Sequence, residues 1–205
     1  MKIAILISGS GSNMVALVEA MKARRVSADP VLVLANQPDA KGIAKAQAMD
    51  VKTAVVPHRD FDDKAGFEAA LHEALVEAQA ELVCLAGFMR VLSAEFVDAW
   101  KGRILNIHPS LLPSFKGLNT HARALDAGCA VHGASVHVVT PQLDAGRIVG
   151  QAAVPVLPGD TADDLAARVL VQEHQLYPAA LAHFLSGDTS PLLLSTGLDF
   201  SDENA

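Results

Sequence analysis

The sequence predicts an α/β fold, a Rossmann-like and predominantly parallel sheet flanked by helices that becomes mixed at its C-terminal strands. Three observations predict it. Short aliphatic runs recur along the chain, and segments with apolar residues at i, i+3, i+4 and i+7 separate them. Late in the chain two β-rich runs are joined by a connection that suits a hairpin-like excursion.

The elements follow in order. A strand over 2–7 opens the chain, and Met14, Leu17, Val18 and Met21 repeat at helical spacing behind it. A strand over 31–35, a short helix over 42–49 and a strand over 53–56 come next. Phe67, Ala70, Leu71, Ala74, Leu75 and Ala78 keep helical period for three turns. Strands over 82–86 and 104–107 flank a short helix over 93–100. Residues 106–120 are rich in Pro, Ser, Gly and Asn, a long connection of the kind that often carries function. A helix over 121–127 precedes the β-rich runs 134–139 and 148–156, which residues 140–147 join. Thr161-x-x-Asp164 opens the last helix as a capping box with Asp in place of Glu or Gln. Pro178 is expected to end or kink that helix near Tyr177. From Ser186 the chain reads as a peripheral, turn-rich tail that frays over 201–205. Residues 1–205 are expected to form one domain, because this length is ample for one core and marginal for two.

Composition narrows the function. The chain is 51% apolar and 19% charged, which is globular and not disordered. A net charge of −7 with no block of like charges argues against a nucleic-acid partner, which needs a basic stripe. Cys84 and Cys129 make neither a metal spacing nor a disulfide framework, so no metal is expected. No apolar run is long enough to cross a bilayer, and the N-terminal apolar stretch is too short for a signal peptide. A cytoplasmic protein without membrane association is expected, as a monomer or a homodimer.

Ser8-Gly9-Ser10-Gly11-Ser12-Asn13 joins the first strand to the first helix. Glycines let the backbone approach a ligand there, and the free N–H groups of the helix start suit a phosphate monoester. A dinucleotide fingerprint needs a third glycine where Met14 stands, and the Gly-Lys-Ser/Thr of a P-loop is absent. An ordinary capped turn remains a competing reading, since Ser and Asn are common caps.

Asn106-Ile107-His108-Pro109-Ser110-Leu111-Leu112-Pro113 begins at the end of a predicted central strand, the edge where ligands of open α/β sheets gather. Two apart on an extended segment, Asn106 and His108 leave on one face. An amide donor beside an imidazole can hold a carbonyl oxygen as it becomes an oxyanion. Asp144, in Leu143-Asp144-Ala145-Gly146, is the candidate carboxylate partner of His108. Each also has a plain structural reading, a loop histidine or a turn aspartate.

Residues 7–13, Leu85-Ala86-Gly87-Phe88-Met89-Arg90, Asn106–Pro113 and Leu143-Asp144-x-Gly146 together resemble the folate-dependent phosphoribosylglycinamide formyltransferase family, in register from about residue 1 to 185. The resemblance implies the formyltransferase fold and transfer of a formyl group from 10-formyltetrahydrofolate to the amine of glycinamide ribonucleotide, in purine synthesis. It implies that Gly11, Ser12, Asn13 and Glu173 bind the acceptor. Lys64, Met89, Arg90, Val91, Leu92, Asn106, Thr140, Leu143 and Asp144 would bind the folate, and Asn106, His108 and Asp144 would perform the chemistry. Relatives that act on charged tRNA or hydrolyse formyl-folate carry additional domains, which this sequence is not expected to contain. Departures from the family pattern fall at Lys64, where arginine is common, and at Asn119, Pro141 and Leu170. Two rivals share these residues: a hydrolase that passes the formyl group to water, and a folate-binding protein without turnover.

Overall fold

The aliphatic runs pair side by side as one eight-stranded sheet. The computed structural model describes residues 1–195. Its strands are β1 (Lys2–Ile7), β2 (Asp29–Ala35), β3 (Thr53–Val55), β4 (Leu82–Leu85), β5 (Ile104–His108), β6 (Val131–Val138), β7 (Ile148–Pro155) and β8 (Leu192–Ser195). They lie in the order β3-β2-β1-β4-β5-β6-β7-β8. Every neighbouring pair is parallel except those of β6, which runs antiparallel to both β5 and β7. The expected mixed sheet is therefore present. In β1, Ile3 through Ile7 are all fully buried, because a central parallel strand is covered on both faces.

Helices α1 (Ser12–Lys22), α2 (Lys41–Ala48), α5 (Thr120–Asp126) and α6 (Ala162–Leu185) cover one face, and α3 (Lys64–Glu77) and α4 (Ala94–Ala99) cover the other. The periodic residues of α1 and α3 are the buried ones: Met14, Leu17, Val18 and Met21 in the first layer, Phe67, Leu71 and Leu75 in the second. Burying each such side chain contributes roughly 1.5–3 kcal/mol.

Two expectations need correction. Pro178 neither ends nor bounds α6, which continues to Leu185. Proline removes one N–H from the helix ladder. Around it, however, Leu176, Tyr177, Ala180 and Leu181 are completely buried, and Tyr177 Oη donates towards both Leu85 O and Leu105 O at 3.1 Å. That packing offsets the missing bond. The capping box is formed as expected, with Asp164 serving where Glu is usual. The second correction concerns the tail. Residues 192–195 are not peripheral turns but strand β8, which pairs with the edge of β7 that would otherwise be bare. The expected frayed end, 201–205, lies outside the described residues.

The two helical layers do not cover the sheet evenly. Leu105 and Ile107 of β5, with Ala134 and Val136 of β6, pack into the layer of α1 and α6. The alternate residues Asn106, His108, Ser135 and His137 point to the opposite face. There α3 and α4 pack on β1, β2, β4 and only Ile104 of β5. The β5–β6 part of that face is left to loops.

Candidate active site

Asn106 and His108 lie within β5, and their direct cross-strand partners on β6 are His137 and Ser135. The site thus occupies an open patch of sheet face running to the C-terminal end of β5, rather than the strand edge alone. The connection 139–147 folds back over this patch. Gly146 makes that possible, since a Cβ there would lie 1.7 Å from Val138 O. Asp144 takes a left-handed backbone (φ 46), which aspartate tolerates better than most residues.

The fold brings the three candidates together. His108 Nδ1 lies 3.5 Å from Asp144 Oδ2, and both side chains are more than nine-tenths buried. Gly117 N donates to Asp144 Oδ2 at 2.9 Å, and His108 Nε2 donates to Phe115 O at 3.0 Å. Segment 115–117 thus grips both partners. His108 faces an acceptor at each ring nitrogen and can donate to both only when it carries two protons.

Residues that sequence reasoning missed support this group. Asn106 Nδ2 lies 3.2 Å from His137 Nε2, which in turn is 3.7 Å from Asp144 Oδ1. Ser135 Oγ accepts from Leu112 N and from Gln151 Nε2, and donates to Ser110 O. With Gln151 Nε2 also donating to Leu112 O, this buried knot fastens the loop after His108 onto β6 and β7. The signal available in the sequence was Ser135-x-His137, the same two-residue spacing as Asn106-x-His108 on what proves to be the neighbouring strand.

A second cluster forms at the end of β1. Gly11 precedes α1 with φ 69 and offers no side-chain cap, so the first-turn N–H groups of Ser12 and Asn13 stay without a capping partner. Free N–H groups of this kind can cradle an anion, whereas an ordinary side-chain cap would occupy one of them. The start of α2 backs this turn: Gly42 N donates to Gly9 O at 3.0 Å. Asn13 Nδ2 donates to Glu173 Oε2 at 2.7 Å, and Asn13 Oδ1 is buried without a partner. Burial raises the Glu173 carboxyl above its ordinary range, with the Asn13 hydrogen bond opposing.

Ser8 ties the cradle to the segment after β4. Its N–H donates to Gly87 O, its Oγ accepts from Met89 N at 2.8 Å, and its hydroxyl donates to Asn36 Oδ1 at 2.6 Å. Beyond that knot Met89 (67% exposed) and Val91 (65%) present bare apolar side chains, whereas Leu92 is buried and Arg90 is exposed; Leu143 (54%) is a further exposed apolar side chain, on the 139–147 connection. Thr140 Oγ1 is turned to Gln142 O. Lys64 has its ammonium 3.8 Å from Glu68 Oε1. Asn119 adopts the left-handed conformation ahead of α5, a backbone that asparagine accepts readily. Leu170 is partly exposed one turn before Glu173, and Pro141 is exposed. Among the described residues no three His, Cys, Asp or Glu side chains are grouped to hold a metal ion, and no helix is long and apolar enough to cross a membrane.

The sequence and the fold have counterparts among known proteins. The Formyl transferase family matches residues 1–181. The phosphoribosylglycinamide formyltransferase of Escherichia coli (strain K12) is 43% identical over 187 residues, covering 91% of this chain and 88% of that protein. The trifunctional purine biosynthetic protein adenosine-3 of Gallus gallus is 47% identical over 186 residues, and there the chain spans only 18% of the relative's length. The crystal structure of phosphoribosylglycinamide formyltransferase from Brucella melitensis superposes with a TM-score of 0.86 at 51% identity, covering 92% of this chain and 97% of that one. Glycinamide ribonucleotide transformylase 1 from Symbiobacterium toebii gives 0.89 at 42%, with 91% and 88% covered. The chain belongs to the formyl transferase family, in its phosphoribosylglycinamide formyltransferase branch.

Proposed function

We propose that this chain transfers the formyl group of 10-formyltetrahydrofolate to the primary amine of glycinamide ribonucleotide. One observation carries the reading. An imidazole and a carboxylate separated by 36 positions meet at 3.5 Å on a face that also presents an amide, with an uncapped helix start after β1, one strand removed from β5 in the sheet. The first group suits acyl transfer, and the second suits a phosphorylated acceptor.

The residues perform distinct tasks in this reading. Ser12 and Asn13 N–H groups hold the acceptor's phosphate, and Glu173, fixed by Asn13, receives its ribose or amine end. The exposed apolar side chains Met89, Val91 and Leu143 fit a flat, largely apolar co-substrate, with main chain around 89–92 and 140–144 reading its polar edge. Arg90 and Lys64 lie outward, where a carboxylate-bearing tail would emerge. The neutral amine attacks the formyl carbon directly, so no enzyme nucleophile is required. Asn106 and His108 stabilise the oxyanion that forms; one such donor is typically worth about 10²–10³ in rate. To reach that oxygen, the His108 Nε2–H must leave Phe115 O. Asp144 keeps His108 in its donating form and passes the proton released by the attacking nitrogen to the folate nitrogen, which departs as its bond to the formyl carbon breaks and the oxyanion collapses to the new amide; such proton transfer is worth about 10²–10⁴. The whole chain acts as one domain, with small molecules as its partners.

A single assay tests the proposal. Protein is mixed with formyl-folate, and deformylated folate is followed with and without glycinamide ribonucleotide. Product that depends on the acceptor is the expected result. Product formed equally without it would make the chain a formyl-folate hydrolase, and no product would make it a binding protein.

A further inference from the structure

We propose that His137 is a positioning residue for this transfer: a neutral imidazole whose Nε2 lone pair fixes the Asn106 amide, leaving the second Nδ2–H free for the oxyanion. The inference rests on the function proposed above. It starts from register, for Asn106 and His137 are directly opposed on β5 and β6, and both side chains emerge on the open face. A non-covalent pair so placed is held by the sheet itself.

The hydrogen-bond chemistry then decides the roles. His137 Nδ1 is 3.1 Å from Val138 O, and a carbonyl can only accept, so Nδ1 carries the proton. In a neutral ring Nε2 is then an acceptor, and the Asn106 atom 3.2 Å away must be the donating nitrogen. A doubly protonated ring would reverse this. Its Nε2–H would draw in the Asn106 carbonyl oxygen, turn the amide nitrogen away, and compete with His108 for Asp144, whose Oδ1 is 3.7 Å from Nε2. The charge on one buried ring therefore sets both the orientation of the oxyanion donor and the availability of the carboxylate.

The groups facing His137 favour the neutral form on balance. Burial disfavours the cation most strongly, and His108 and Lys116 oppose it through their charge, while the Val138 carbonyl and Asp144 favour it. With the ring only 2% exposed, no bulk water is available to shift that balance.

Two experiments test the assignment. In the substrate-free wild-type chain, the 15N pattern of the His137 ring should be that of a neutral Nδ1–H tautomer; protons on both nitrogens, or on Nε2 alone, would overturn the proposal. In formyl transfer, His137→Leu should lower kcat by about 10²-fold, the loss of a misplaced oxyanion donor, with KM for both substrates little changed. His137→Gln, whose Oε1 can accept the same hydrogen, should recover most of that loss. In an Asn106→Ala background His137→Leu should cost nothing further, because its effect passes through the amide. Equal losses in both backgrounds, or wild-type kcat for His137→Leu, would remove His137 from this role. The ring's 15N pattern requires neither a variant nor turnover. It decides the proposal even if His137→Leu does not fold, and a wild-type chain without formyl transfer would defeat the proposed function separately.

Discussion

Gly42 offers a direct test of whether the fold builds the anion cradle. A Cβ at this position would lie 2.4 Å from Ile7 Cδ1, 3.1 Å from Gly11 Cα and 3.3 Å from Gly11 N. The isoleucine methyl can rotate away, but the Gly11 backbone cannot easily yield, because it already holds φ 69 at the start of α1. Gly42→Ala must therefore push α2 off the β1–α1 turn and stretch the Gly42 N to Gly9 O bond. Overpacking of this kind costs about 1–3 kcal/mol. For a domain of this size, that lowers Tm by roughly 2–12 °C. A first-turn anion contact is worth about 1 kcal/mol and up to ~2 kcal/mol when partly buried, so its loss raises the acceptor's KM by roughly 5- to 30-fold. Thermal melting and steady-state kinetics with each substrate varied in turn measure both effects, and the KM for formyl-folate should stay where it was. A lower Tm with an unchanged acceptor KM would show that the turn is not the phosphate's seat. An unchanged Tm would show that the two glycines are not in tight contact.

His108→Ala and Asp144→Ala should each reduce kcat by at least about 10² while the folate still binds, as followed by ligand fluorescence or calorimetry; near-wild-type turnover in both would exclude them from the chemistry. His132, on the α5 side of the sheet, has its pKa lowered to about 4, chiefly by burial and secondarily by the neighbouring His121. A histidine held neutral in the fold contributes its full stability above the unfolded value near 6.5 and loses it as pH falls to about 4. The unfolding free energy from urea titrations should therefore drop across that window, by on the order of 3 kcal/mol, and His132→Phe should flatten the slope.

Much of this organisation was legible in the sequence because it rests on periodicity and on local chemistry. The strand positions, the two long amphipathic helices and the capping box at Thr161 are each decided within a few residues. What escaped depends on distant partners. Pro178 read as an end or a kink because its missing N–H is local, whereas the contacts that carry α6 past it, such as Tyr177 with β4 and β5, are far away in the chain. Strand β8 was unreadable for a similar reason: residues 192–194 are a bare leucine run, and only the free edge of β7 makes them a strand. Within the candidate site, the side chains that motif spacing singles out are Asn106, His108 and Asp144. Their supports Ser135, His137 and Gln151 act through cross-strand register, which no single segment displays.

The direction of β6 explains why such a site can exist on a sheet of this type. The connection from β5 to β6 carries α5, which packs on the same face as α1 and α6. Because β6 runs antiparallel to both its neighbours, the chain passes from β6 to β7 through residues 139–147 alone. The face of β5 and β6 opposite α1 and α6 is thereby left without a helix, and polar side chains can stand on it in matched pairs, Asn106 with His137 and His108 with Ser135. The same short connection supplies Asp144, since a loop tied back to Val138 by Gly146 has nowhere to go but across that face. The reversal of one strand thus opens the surface, aligns the supporting row and delivers the carboxylate.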